Sequence, residues 1–210
     1  MIVDVKICGL STRDTVDAAV GAGASHLGFN FFAPSPRYVA PDQALALGRG
    51  LPRHVVRVGI FVDPDDALLD RAAPALDAIQ LHGRETPERM AAVRRRHGLP
   101  VWRAAGVATR DDIAAAVAAG GADLLLFDAK APTGSVLPGG NGVRFDWRLL
   151  AGIAPGGLWG LSGGLDATTV GDAIRLARPP LVDVSSGVED EPGVKSVSKI
   201  KAFIAAAQAA

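Results

Sequence analysis

Among the 210 residues there is one cysteine, Cys8, so no internal disulfide can form and no thiolate cluster can hold a structural zinc. Aromatic residues are scarce, 5% of the chain against 49% hydrophobic overall, so the core has to be aliphatic and alanine-rich, a composition that suits helices packed on a sheet. Neither sign of charge is in excess. The 22 Lys and Arg balance the 22 Asp and Glu, which removes the global field that would draw the chain to nucleic acid or to an anionic membrane. Long hydrophobic runs are missing too: none reaches the roughly 18 unbroken apolar residues of a membrane span, and no basic segment leads into an apolar one at the N-terminus. These absences point to a soluble, cytoplasmic protein without nucleic-acid or membrane partners. The length allows one domain with a sizeable core, or two small ones.

What is present is an alternation. β-rich runs at 3–8, 25–31, 54–61, 76–81, 100–105, 122–127, 157–162 and 181–184 are separated by helical patterns at 13–22, 41–50, 64–73, 85–97, 110–119, 145–151 and 166–177, with a last one at 194–208. Ser11/Thr12, Asp63-Pro64, Thr86-Pro87, Thr109 and Asp166 supply helix-start signals, and Gly21, Gly98 and Gly120-Gly121 supply stops. Strand–helix alternation demands parallel strands with right-handed crossovers. Eight uniform units of about 26 residues, with no linker and no Gly-x-Gly-x-x-Gly after the first strand, favour a single-domain (β/α)8 TIM barrel over residues 1–210 rather than an open doubly wound sheet.

In such a barrel the chemistry sits at strand C-terminal ends. Those ends are polar or glycine-rich: Cys8-Gly9, Ser35-Pro36-Arg37, Gln80-Leu81-His82-Gly83, Asp128, Ser162-Gly163-Gly164 and Asp183-Val184-Ser185-Ser186-Gly187, with Gly139-Gly140-Asn141-Gly142 in the loop after Asp128. Strand parity turns Val3, Val5 and Ile7 toward the helices and Lys6 and Cys8 inward. It likewise places Leu125 and Phe127 outward, Leu126 and Asp128 inward, and Asp183 with Ser185 on one face. Gln80 and His82 share an inward face and read as pocket lining. Gly163-Gly164 and Ser185-Ser186-Gly187, at consecutive strand ends, suit a phosphate held by backbone N–H groups and hydroxyls. The run Arg94-Arg95-Arg96-His97 closes a helix, where the macrodipole favours cations, and reads as a solvated face.

Lys6-Ile-Cys-Gly-Leu, Ser35-Pro-Arg37, Val58-Gly-Ile-Phe, Gln80-Leu-His-Gly83, Gly139-Gly-Asn-Gly142 with Phe145-Asp-Trp147, Ser162-Gly-Gly-Leu165 and Asp183-Val-Ser-Ser-Gly-Val-Glu189 together resemble the motif series of the phosphoribosylanthranilate isomerase family, in order and over essentially the whole chain. The resemblance implies a (β/α)8 barrel that performs an Amadori rearrangement in tryptophan biosynthesis without metal or organic cofactor. It converts N-(5-phosphoribosyl)anthranilate to 1-(2-carboxyphenylamino)-1-deoxyribulose 5-phosphate. It also implies Asp128 as general acid, Cys8 as general base, Arg37 against the anthranilate carboxylate, and Asp183 beside the substrate; the inward faces add Lys6, Gln80 and His82 as expected substrate contacts. The phosphate then falls to Gly140, Gly142, Gly163, Gly164, Ser185, Ser186 and Gly187. Lys6, roughly 6–7 Å from Cys8 along the strand, is expected to lower the thiol pKa. Asp128 needs the reverse, a raised pKa, for which Asp183 is a candidate cause.

Ser162, Ala167, Thr169, Ala129 and Ser196 depart from the family pattern, and none of these positions is Cys8, Asp128 or Arg37. Two other functions fit parts of the sequence. A sugar-phosphate isomerase of histidine biosynthesis would run parallel chemistry, but its family places an aspartate at the position of Cys8. A non-catalytic phosphosugar-binding barrel would have no use for Cys8 and Asp128 together. The chain is expected to work as a monomer rather than a homodimer.

Overall fold

The computed structural model describes residues 3–153 and 155–210. Eight parallel strands form a closed barrel in chain order: β1 (Asp4–Cys8), β2 (His26–Asn30), β3 (Val56–Phe61), β4 (Ala78–Leu81), β5 (Val101–Val107), β6 (Leu124–Ala129), β7 (Leu158–Leu161) and β8 (Leu181–Val184), with β8 pairing back to β1. Helices α1 (Arg13–Ala22), α2 (Pro41–Gly48), α3 (Asp66–Ala72), α4 (Pro87–His97), α5 (Arg110–Ala119), α6 (Val170–Ala177) and α7 (Val197–Gln208) pack outside. None of them is long and apolar enough to cross a membrane.

Strand alternation sorts the core into two bodies. Outward residues such as Val5, Ile7, Leu125 and Phe127 join the helices in the larger cluster. Inward residues Val58, Ala78, Trp102, Ala104, Leu124, Leu126 and Leu181 fill the lower barrel. One step further along each strand the inward positions become Lys6, Gln80, Asp128 and Asp183, all buried. The apolar plug below thus carries a polar floor above.

Local chemistry explains the helix starts. Thr86 and Thr109 accept the N–H of Arg89 and Asp112, and Asp112 answers Thr109 in a capping box. At α3 the cap is Asp65, not Asp63; Asp63 adopts a left-handed backbone (φ 44°) and its carboxylate accepts the N–H of Arg84. The stop of α1 is Gly23 rather than Gly21. The Arg94–His97 run is tied to neighbours, Arg94 to Asp123 and Arg96 to Asp70.

Three expectations need correction. The pattern at 145–151 forms only a 3-10 turn, Trp147–Leu150, because the Asp146 carboxylate takes both the N–H and the guanidinium of Arg148, and Gly152, left-handed at φ 75°, ends the turn. The helix expected from 166 begins at Val170, since Asp166 spends its carboxylate on the N–H and hydroxyl of Thr168 and the hydroxyl of Thr169. The helix expected from 194 begins at Val197. Ahead of it Pro192-Gly193 turns a small hairpin, β9 (Glu189–Glu191) against β10 (Val194–Lys195), which sets Lys195 opposite Glu189.

Candidate active site

The pocket floor starts with a register. Lys6 on β1 and Asp183 on β8 are paired residues of adjacent strands, so their inward side chains meet, Lys6 Nζ donating to Asp183 Oδ2 at 2.9 Å with Lys6 wholly shielded from solvent. Cys8, two residues further up β1, opens into a cleft lobe of about 520 Å³. Arg37, Gln80, His82, Asp128, Asp183 and Ser185 line the same lobe. Lys6 does not; it is fully buried beneath the floor.

Burial first, then the Asp183 carboxylate, push Asp128 up to about 7, against the pull of the Ala129 N–H and the Ser162 hydroxyl. A carboxyl raised this far can hold a proton near neutral pH. Facing it is His82, whose Nε2 lies 3.4 Å from Asp128 Oδ2; burial, and after it Lys6, bring this imidazole down to about 4, so it is neutral. The thiol departs from expectation. Burial pushes Cys8 above its ordinary value, Lys6 and Lys195 pull it down, and Asp183 works against them. Burial outweighs the pull of Lys6, which the Asp183 carboxylate in part offsets.

Arg37 leaves the end of β2 in a tight turn, where the Ser35 hydroxyl accepts both its N–H and the Asn30 amide. Its guanidinium is buried and clasped by Glu189, Nε to Oε1 at 2.7 Å and Nη2 to Oε2 at 2.8 Å. Nη2 also donates to the Gly140 carbonyl at 3.2 Å, pinning the loop after β6 over the pocket. At the neighbouring Gly139 a Cβ would come within 2.5 Å of Asp128 Oδ2 and of His82 Cε1, so only a residue without a side chain lets this loop roof the pair.

A second lobe, of about 350 Å³, adjoins the first through Asp128, Gly139, Gly140, Ser162, Asp183 and Ser185. Gly142, Gly163, Gly164 and Ser186 also belong to its wall. Among the described residues neither the Gly163 nor the Gly164 N–H has an acceptor, so both are free for an anion. Gly187 does not line either lobe. A Cβ there would come within 1.9 Å of the Leu165 carbonyl, so its role is to let the loops after β7 and β8 touch.

Glu189 and Lys195 were not among the sequence candidates, although both belong to the site's inner frame. Lys195 Nζ donates to Glu189 Oε1 (2.6 Å), to the Ser185 carbonyl (2.8 Å) and to the Ser185 hydroxyl (3.3 Å). The available signal was the Pro192-Gly193 dipeptide, a turn mark that folds residues on either side against each other.

This geometry has relatives. A family model described as N-(5'phosphoribosyl)anthranilate (PRA) isomerase matches residues 5–206. N-(5'-phosphoribosyl)anthranilate isomerases of Paracoccus denitrificans and Mesorhizobium japonicum are 55% and 51% identical to the chain, over all of it and over 99% and 97% of their own lengths. The crystal structure of phosphoribosyl anthranilate isomerase from Thermotoga maritima superposes with a TM-score of 0.89 at 37% identity, covering both chains completely. A phosphoribosyl anthranilate isomerase in complex with reduced 1-(o-carboxyphenylamino)-1-deoxyribulose 5-phosphate matches at 0.85 and 35%, again over both full chains.

Proposed function

The chain belongs to the N-(5'-phosphoribosyl)anthranilate isomerase family, and from that membership we propose how its pocket carries out the isomerisation in tryptophan biosynthesis. The reaction is an intramolecular aldose–ketose conversion of N-(5-phosphoribosyl)anthranilate. Protonated Asp128 donates to the furanose ring oxygen; the C1′–O bond breaks as the anilino nitrogen pushes its lone pair toward C1′, giving an open-chain protonated Schiff base. The Cys8 thiolate then takes the proton from C2′. The electron pair left at C2′ forms the C1′=C2′ bond, and the nitrogen recovers its own pair. The resulting enolamine becomes the ketone by losing its C2′ hydroxyl proton and gaining one at C1′.

Arg37 holds the anthranilate carboxylate. Asp183 keeps Asp128 protonated and fixes Lys6 below the floor, while neutral His82 and Gln80 shape the wall. The phosphate lies in the second lobe, against the Gly163 and Gly164 N–H groups, the Ser185 and Ser186 hydroxyls, and the backbone at Gly140 and Gly142. We infer a working monomer and place the enzyme in the cytoplasm.

The observation that carries this reading is that Cys8 and Asp128 line one lobe with the carboxyl raised to about 7, while the adjoining lobe offers unpaired backbone donors. Loss of phosphoribosylanthranilate fluorescence on adding the protein measures turnover. Cys8→Ser and Asp128→Asn should each lower kcat by about 100- to 10,000-fold, the usual reach of one acid or base. Undiminished turnover in either variant removes that residue from its role.

A further inference from the structure

The cluster behind Arg37 holds more positive charge than negative. Glu189 Oε1 accepts from Arg37 Nε and from Lys195 Nζ; Oε2 accepts from Arg37 Nη2 and from the Gly193 N–H at 3.2 Å. All three charged side chains are buried, so two cations share one carboxylate with little solvent to screen them. The other buried cation, Lys6, has Asp183 to itself. A buried charge without a counter-ion is strongly unfavourable unless a ligand meets it.

Lys195 cannot meet that ligand. Its three N–H donors are committed to Glu189, the Ser185 carbonyl and the Ser185 hydroxyl, and its side chain is 1% exposed. Arg37 can: it lines the pocket, and among the described residues its Nη1 has no acceptor. The β9–β10 hairpin exists at the right length for this sharing, since its Pro192-Gly193 turn brings Lys195 back across from Glu189.

We propose that Lys195 is a specificity-determining positioning residue: by occupying part of Glu189 it leaves Arg37 with uncompensated charge, and so makes the pocket selective for a ligand carrying a carboxylate. Without Lys195 the Arg37–Glu189 pair would carry no net charge, and the carboxylate would meet a neutral pair. The inference rests on the assignment of Arg37 to the anthranilate carboxylate. It goes beyond that assignment by naming what keeps Arg37 available.

The test measures Kd for reduced 1-(o-carboxyphenylamino)-1-deoxyribulose 5-phosphate and for its aniline counterpart, which keeps the phosphate and lacks the carboxylate. Wild-type protein should prefer the carboxylated ligand. Lys195→Met should weaken the carboxylated ligand by about tenfold or more and leave the aniline ligand within a factor of two. Adding Glu189→Gln to Lys195→Met restores the single positive charge on paper and should restore the preference. Thermal melting confirms that each variant is folded.

Equal weakening of both ligands would make Lys195 a prop for Ser185 and overturn the proposal, as would no weakening at all. Selective weakening that the double variant does not recover would overturn the charge account. A wild-type protein indifferent to the carboxylate would instead refute the Arg37 assignment, and the inference with it.

Discussion

A carboxyl raised to about 7 beside a thiol raised above its ordinary value puts the acid and the base in reverse order: free in solution, Asp128 loses its proton before Cys8 does. The competent form, carboxyl protonated and thiolate ionised, is then a minority at every pH, and its population is flat between the two titrations. The profile of kcat/KM should therefore rise to a break near pH 7, run level, and fall only above the thiol's value. The lower break belongs to Asp128 even though Asp128 is the acid. Because the Asp183 carboxylate pushes both groups up, Asp183→Asn should move both breaks to lower pH, and the pH dependence of Cys8 alkylation by iodoacetamide should shift with the upper one. If the lower break stays where it is, Asp183 does not govern the acid.

At the scale of elements, the phosphate lobe depends on how closely the loops after β7 and β8 approach. Gly187 lies against the Leu165 carbonyl with no room for one more carbon. Gly187→Ala should push the two loops apart at a cost of about 1–3 kcal/mol, the usual range for overpacking, and raise KM by about tenfold with a smaller effect on kcat. A KM within a factor of two of wild type would mean that the loops do not jointly hold the phosphate. Elements of this kind were unevenly legible in the sequence. The strands were readable because each sets apolar residues against the helices, and parity then put Cys8, Asp128 and Asp183 inward correctly. The hairpin at 189–195 was not readable, because strands of three and two residues carry no period and its side chains are charged. Glu189 and Lys195 were lost with it. Parity put Lys6 on the inward face but could not show that it lies buried beneath the floor, since parity gives direction and not reach. The thiol's environment was also beyond the sequence: which carboxylate neutralises which lysine is settled by the pairing of β1 with β8, two strands far apart in the chain.

At the scale of the whole molecule the barrel divides its labour along its axis. Below, an apolar plug stabilises the fold; above, buried ionisable groups serve chemistry and oppose stability. Asp128 makes the opposition measurable. Its pKa is about 7 in the folded chain against about 3.9 in an unfolded one, so the folded state binds the proton more tightly between those values. Stability from this group is accordingly greatest below about pH 4, declines as pH rises, and carries the full penalty above about pH 7. Three units correspond to at most about 4 kcal/mol. Asparagine cannot ionise and escapes the penalty. Asp128→Asn should thus lower turnover by the factor given above while raising the urea midpoint at pH 8, and the gain should shrink to about a quarter at pH 4.5. A gain of the same size at both pH values would trace to altered packing, because only an ionising carboxyl makes the difference depend on pH.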